Sequence, residues 1–294
     1  MNPTIKIDDE AIDGVINTDF EIETLADDCQ FTEGPVWSTE GFYLFSDITA
    51  NTVYKLVPGQ QKEVYIANSG TENPEDEDLK PDQIGSNALA YDRKGGLLVC
   101  RHGSHAIAKW SNNYLQQYIT HYNNRPLNSP NDIIVDRKGR IFFSDPPYGL
   151  KEGKLNTEKF QSLAGVYCYD ESELKLICDK YEYPNGVCIT PDGKNLYICS
   201  NKPFEKFVSV YELETLQFKK ILIEENSDGI KCDPHGNVYL CNKDGIIILN
   251  EDGKRLALIR FPTIPANCCW GGESGKDLFI TGREKVYLIR NLLR

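Results

Sequence analysis

Apolar residues along this chain fall in short runs broken by Gly, Asp, Asn and Pro, and no stretch shows the three-and-four spacing of a long amphipathic helix. The segment "NDIIVDRKGRIFFSD", residues 131–145, is representative. It predicts strands over 133–135 and 140–144 joined by a turn at Arg137-Lys138-Gly139. The same pattern, a polar opener, an apolar run, a turn and a second apolar run, begins at Glu33, Asn87, Asn131, Asn185, Asp228 and Asn267. The intervals are 54, 44, 54, 43 and 39 residues. Units of roughly 40–50 residues carrying about four short strands are the signature of a β-propeller.

Further pairs, such as "AGVYCYD" with "ELKLICDK" and "VSVYEL" with "FKKILIEE", supply the outer strands. "FEIETLA" near one terminus and "EKVYLIR" near the other are expected to share a blade and close the ring, limiting exposed strand edges. The physical reason for repetition is burial: one sheet cannot cover both of its apolar faces, whereas six packed radially cover one another. The expected architecture is all-β, a single six-bladed β-propeller over residues 21–294 with an N-terminal segment over 1–20.

Composition narrows the partners. The formal net charge of −12 opposes binding to phosphate backbones, so nucleic acid is excluded. No run approaches the roughly 20 apolar residues of a membrane span, and "MNPTIKIDDEAIDGVI" lacks the features of a signal peptide, so the expected location is cytoplasmic. The acidic stretch "TENPEDEDLKPD" (71–82) reads as a solvated loop, without the carboxylate alternation or central Gly of an EF-hand. Ten cysteines lie mostly inside apolar runs with no C-x-x-C pair, and read as buried reduced thiols; Cys268 and Cys269 should face opposite sides of one strand. Four histidines sit at no ligand spacing from cysteine pairs, which argues against a Cys/His zinc site.

In a propeller the first strand of each blade lines the central channel, so the six openers converge near one axis. Asn and Asp also begin hairpins for local reasons, yet six polar openers including two acids make a ring of oxygen donors. Such a ring suits a hard divalent cation; Ca²⁺ takes carboxylates and amide carbonyls in flexible numbers, and Mg²⁺ or Mn²⁺ share the preference.

The motifs "EGPVW", "NSPNDIIVDRKGRIFFSDPPYGL", "YPNGVCITPDGKNLYI", "SDGIKCDPHGNVYL" and "NCCWGG" together resemble the senescence-marker-protein/gluconolactonase/luciferin-regenerating-enzyme family, over nearly the whole chain from residue 31 to 290. "SDPPYGL" and "VCRHGSHAI" are most similar to its bacterial gluconolactonase branch. The resemblance implies a six-bladed propeller with one divalent cation in the channel, most often Ca²⁺, with Mg²⁺, Mn²⁺ or Zn²⁺ left open. It implies Glu33, Asn185 and Asp228 as metal ligands, and Asn131 as a ligand or substrate contact. The implied activity is hydrolysis of a sugar lactone to an aldonic acid, the metal polarising the carbonyl and positioning a water.

Asp228 is the candidate catalytic base, although a carboxylate on a cation is a weaker base and ligation alone would also account for it. Candidate substrate contacts are Asn131, Asn87, His102, Arg101 and Tyr148. For each, a local role competes: Asn87 and Asn267 can cap strands, His102 can satisfy a loop, Arg101 can make a surface salt bridge, and Tyr148 can pack on its own Pro-Pro turn rather than cover the channel. Ser227 can hold a water or simply fit a tight turn. Rival readings are an organophosphate triesterase using the same metal, and a calcium-binding regulatory propeller without catalysis. Oligomeric state stays open.

Overall fold

The computed structural model describes residues 5–294. Six antiparallel sheets surround a channel, and their innermost strands are Thr32–Ser38, Ser86–Tyr91, Ile133–Val135, Pro184–Ile189, Ile230–Cys232 and Asn267–Gly271. These define blades 1 to 6 in chain order, and every repeat read from the sequence is one inner hairpin. The hairpin of blade 3 pairs Ile133–Val135 with Ile141–Asp145, and Gly139 supplies the positive φ of its turn. Helical structure among the described residues is confined to three short 3₁₀ turns.

Each strand interior is apolar on both faces because each blade has a neighbour on both sides. In "FYLF", Phe42 and Leu44 join a cluster with Leu89, Val99 and Ala108 of blade 2, whereas Tyr43 and Phe45 join Phe279, Val286 and Leu288 of blade 6. "VYLC" divides likewise: Val238 and Leu240 face blade 4, and Tyr239 and Cys241 face blade 6. The buried core thus consists of six inter-blade clusters. Cysteines serve as small members of these clusters. All ten are unpaired, nine of them buried, and Cys268 and Cys269 enter different clusters on opposite faces of their strand.

The ring closes as expected: Glu23–Ala26 pairs with Lys285–Ile289, completing blade 6 as the order 23–26, 285–289, 277–282, 267–271. Thr32 of blade 1 locks the seam; its N–H donates to Arg283 O (2.8 Å), and its hydroxyl donates to Lys285 O (3.0 Å) and accepts from Gly282 N (3.0 Å). Tyr43 and Phe279 stack across the seam with centroids 4.3 Å apart. The segment over 1–20 is not set apart from the propeller in its described part. Ile5–Ile7 adds a fifth strand to blade 5, and Ile12 and Ile16 are fully buried between blades 5 and 6.

Acidic residues ending second strands stitch the loops that lead into the inner strands. Asp47 accepts from Gln30 N and Phe31 N (both 2.9 Å), and Asp145 Oδ2 accepts from Asn128 N (2.8 Å). Asp145 is fully buried with Oδ1 unpartnered, and burial pushes its carboxyl up to about 8.

Two expectations follow. Phe279→Ala should cost about 3–5 kcal/mol in urea denaturation, since it empties the centre of the closing interface. Asp145 holds its proton in the folded chain up to about pH 8 but loses it near pH 4 when unfolded, so its contribution to stability falls as pH rises through that window. Asp145→Asn keeps an acceptor for Asn128 N and should show a smaller fall in Tm between pH 5 and pH 9 than the parent.

Candidate metal centre and channel mouth

The six openers meet at one end of the channel. Asn87 Nδ2 donates to Asn131 Oδ1 (2.6 Å), Asn131 Nδ2 to Asn185 Oδ1 (2.8 Å), and Asn185 Nδ2 to Asp228 Oδ1 (2.5 Å). Four consecutive blades thereby contribute one directed arc of side chains. Glu33 closes it from blade 1, its Oε2 accepting from Gly34 N (2.8 Å) and its carboxyl also bonded by the Asn267 side chain. Glu33, Asn87, Asn131, Asn185 and Asn267 are all buried, and Asp228 is the partly open member.

Neighbouring blades fix these positions. Ser46 and Ser144, from the recurring "FSD" strands, donate to the backbone carbonyls of Asn87 (2.6 Å) and Asn185 (2.7 Å) on the next blade. Backbone bonds from Ala88 N to Asn131 O and from Gly186 N to Asp228 O add further stitches. The residue after the acid must also be small. A Cβ on Gly229 would lie 2.3 Å from the Asn267 amide, and one on Gly34, at φ +51, would lie 2.3 Å from Ala88 Cα. That packing explains "EG" and "DG" as units. Ser227 is fully buried, and its hydroxyl donates to Gly229 O and Cys241 O; it holds the turn and does not reach the cavity.

Electrostatics set the chemistry. Glu33 is pushed well above the usual carboxyl range by burial and then by the charge of Asp228; burial pushes Asp228 up as well. One level deeper, Asp132 accepts from Val187 N (3.0 Å) and pairs with Lys231 Nζ (3.4 Å), which balances its charge inside the channel. Two facing carboxyls disfavoured as anions are relieved by a cation between them. The set also contains an orphan: Asn87 Oδ1 is buried without a partner. Two carboxylates with amide oxygens form an oxygen-only donor set, which fits Ca²⁺, Mg²⁺ or Mn²⁺. Among the described residues no group of three or more His, Cys, Asp or Glu could hold a metal, so zinc in a nitrogen and sulfur site does not fit.

Above the ring lies an open cavity of about 290 Å³. Glu33, Asn87, Asn131, Asn185 and Asp228 form its floor, and Tyr148 is part of its wall. Tyr148 does not pack only on its own turn: its hydroxyl donates to Asn201 Oδ1 of blade 4 (2.7 Å) and lies 3.5 Å from Asn185 Nδ2. His102 and Arg101 stand elsewhere. His102 is fully buried behind the ring, with Nε2 3.3 Å from Asn131 Oδ1 and Nδ1 3.2 Å from Gln83 O. Burial lowers its pKa to about 4, so a neutral imidazole sits against the Asn87 and Asn131 amides and is not among the residues that line the cavity. Arg101 is 1% exposed; it donates through Nε to Ser69 O (2.9 Å) and through NH2 to Glu72 (2.8 Å), anchoring the loop between blades 1 and 2. It is a buried tie to the exposed Glu72 and is not among the residues that line the cavity.

Sequence reading missed Asn201, Arg283, Lys80 and Asp82, which also line the cavity. Asn201 Nδ2 donates to Asp228 Oδ1 (3.2 Å). The acidic loop is solvated over Glu72–Glu77, but Leu79 is buried, Lys80 N donates to Gly149 O (3.0 Å), and Lys80 and Asp82 roof the cavity. The Leu79 side chain, apolar between charges, was the available signal.

Fold and site define a six-bladed propeller with a ring of carboxylate and amide side chains at the floor of an open cavity. Residues 31–283 match the family described as the SMP-30/Gluconolactonase/LRE-like region, and the chain belongs to that family. It is 31% identical over 302 aligned positions to a gluconolactonase of Zymomonas mobilis, covering 95% of this chain and 83% of that protein. A gluconolactonase from Xanthomonas campestris shares the fold with a TM-score of 0.83 at 24% identity, covering 100% of this chain and 95% of that one. The calcium-binding protein regucalcin from Agrobacterium tumefaciens does so at 0.75 and 15% identity, covering 93% and 95%.

Gly229→Ala forces Asn267 and Asp228 apart. It should weaken Ca²⁺ binding at least tenfold by titration calorimetry, with the far-ultraviolet β spectrum retained.

Proposed function

We propose that this chain is a lactonase of the gluconolactonase type, opening a sugar lactone to its aldonic acid with one divalent cation, Ca²⁺ foremost, held by Glu33, Asn131, Asn185 and Asp228. The observation that supports it most is the convergence of two carboxylates and three amides on the floor of an open cavity, in a chain 31% identical to a gluconolactonase. When bound, the cation would supply Lewis acidity at the lactone carbonyl and acidify or orient a water.

The chain's own groups divide the remaining work. Asp228 is the ring carboxylate open to the cavity, and its Oδ1 is oriented by Asn185 and Asn201 (2.5 and 3.2 Å). Oδ2 is then placed to take the proton of the attacking water and to return it to the departing ring oxygen, so that lactone and water give the hydroxy acid. Tyr148, a neutral phenol because burial and Asp228 both oppose its ionisation, donates its hydroxyl hydrogen bond to Asn201, faces Asn185 and accepts a hydrogen bond from a substrate hydroxyl. Asn87 lines the cavity floor and orients Asn131 through the 2.6 Å bond to its Oδ1.

Glucono-1,5-lactone hydrolysis should fall at least a hundredfold after exhaustive chelation and return with Ca²⁺, and Asp228→Asn should lose both the rate, by about 10²–10⁴, and calorimetric Ca²⁺ binding. Full rate in the chelated protein would overturn the reading. Chelation that removes bound Ca²⁺ while no lactone or phosphotriester is turned over at any stage would favour a regulatory propeller.

A further inference from the structure

The chain is acidic overall, yet among the described residues two cations, one lining the cavity and one stacked on its Tyr148 wall, form no salt bridge. Arg283 follows the second strand of blade 6 at a positive φ of 57°, lines the cavity, and lies with its guanidinium 4.7 Å from the Phe31 ring centre. On the far side, Lys202 Nζ lies over Tyr183 (4.3 Å) and over Tyr148 (5.1 Å), the latter a wall of the same cavity. Among the described residues neither side chain forms a salt bridge or donates a hydrogen bond to the protein, whereas Lys80 between them is paired with Asp82 (3.4 Å). Stacking on aromatic faces fixes the stems of Arg283 and Lys202 and leaves their N–H donors directed to a ligand. Asp228 is the acid whose charge acts on both Arg283 and Lys202; in the lactonase reading a divalent cation would balance the ring carboxylates and leave both side chains to a ligand.

From this arrangement we infer that Arg283 and Lys202 form an anion-recognising rim, and that the preferred lactone carries an anionic substituent, a phosphate or a carboxylate, at the end remote from the reacting carbonyl. The inference rests on the lactonase reading for its substrate but not for its binding site. Arg283 offers a planar fork to two anion oxygens and Lys202 a point charge opposite, which matches a tetrahedral or planar anion on a sugar held between blades 4 and 6.

The test compares kcat/KM for glucono-1,5-lactone, its 6-phosphate and a glucarolactone, in the Ca²⁺-loaded enzyme. At least one anionic lactone should be preferred tenfold or more, the preference should shrink at 0.5 M salt, and the better of the two identifies phosphate or carboxylate. Arg283→Gln and Lys202→Gln should each lower kcat/KM on that substrate by about 10–100-fold, at least ten times more than on the neutral lactone. Equal losses on charged and neutral lactones, or no anionic preference in the parent, would overturn the rim. In parallel, calorimetry with 6-phosphogluconate, glucarate and gluconate reads the site without turnover. If no lactone is hydrolysed, the lactonase reading fails alone, and tighter binding of either doubly functional ligand than of gluconate, abolished by Arg283→Gln, still upholds the rim; equal binding of all three refutes it.

Discussion

Every blade in this molecule is apolar on both faces, and no blade is stable until both are covered. Alternate residues of "FYLF" or "VYLC" are committed to different neighbours, so burial is satisfied only by a closed circle. The circle leaves one narrow space, the axis, where strand openings rather than strand faces meet. Polar side chains can be concentrated there without interrupting the apolar clusters, because the openings sit beyond the ends of the packed runs. The chemistry of the hub is a by-product of how the sheets bury themselves.

The hub is nevertheless electrostatically costly. Burial and then the charge of Asp228 raise the proton affinity of Glu33, and that of Asp228 is raised by burial and by Asp132, a third carboxylate one level down. Lys231 neutralises the last of these through the ion pair at 3.4 Å, leaving an unbalanced pair of acids at the cavity floor. Serine hydroxyls and backbone amides from adjacent blades keep that pair from relaxing apart. Stability is relinquished at the axis, where the fold keeps acids that a purely structural hub would omit.

The openers were legible because they recur at one offset in each repeat, and a residue type repeated at one structural position reports that position's demands. The ends of the second strands carry no such signal. Asp47 and Asp145 cap loops there, Arg101 anchors a loop, and Asn201 and Arg283, just past equivalent strand ends, face the cavity. One offset serves several purposes, so periodicity could not separate them. The burial of Arg101 and His102 was not legible for a related reason: a polar residue at or just past a strand end carries no sign that a loop folds back over it. The reduced thiols were legible because their neighbours in sequence are apolar and burial follows the run.

Blade 6 joins a strand near the beginning of the chain to one near its end. During synthesis, blade 1 therefore emerges with one apolar flank and the seam residues Tyr43 and Phe45 bare, and they stay bare until the final strand leaves the ribosome. Nearly the full polypeptide must be held out of intermolecular sheet pairing through that interval. Keeping the nascent chain out of such pairing is thus a demand that this closure adds to the stability of the finished circle.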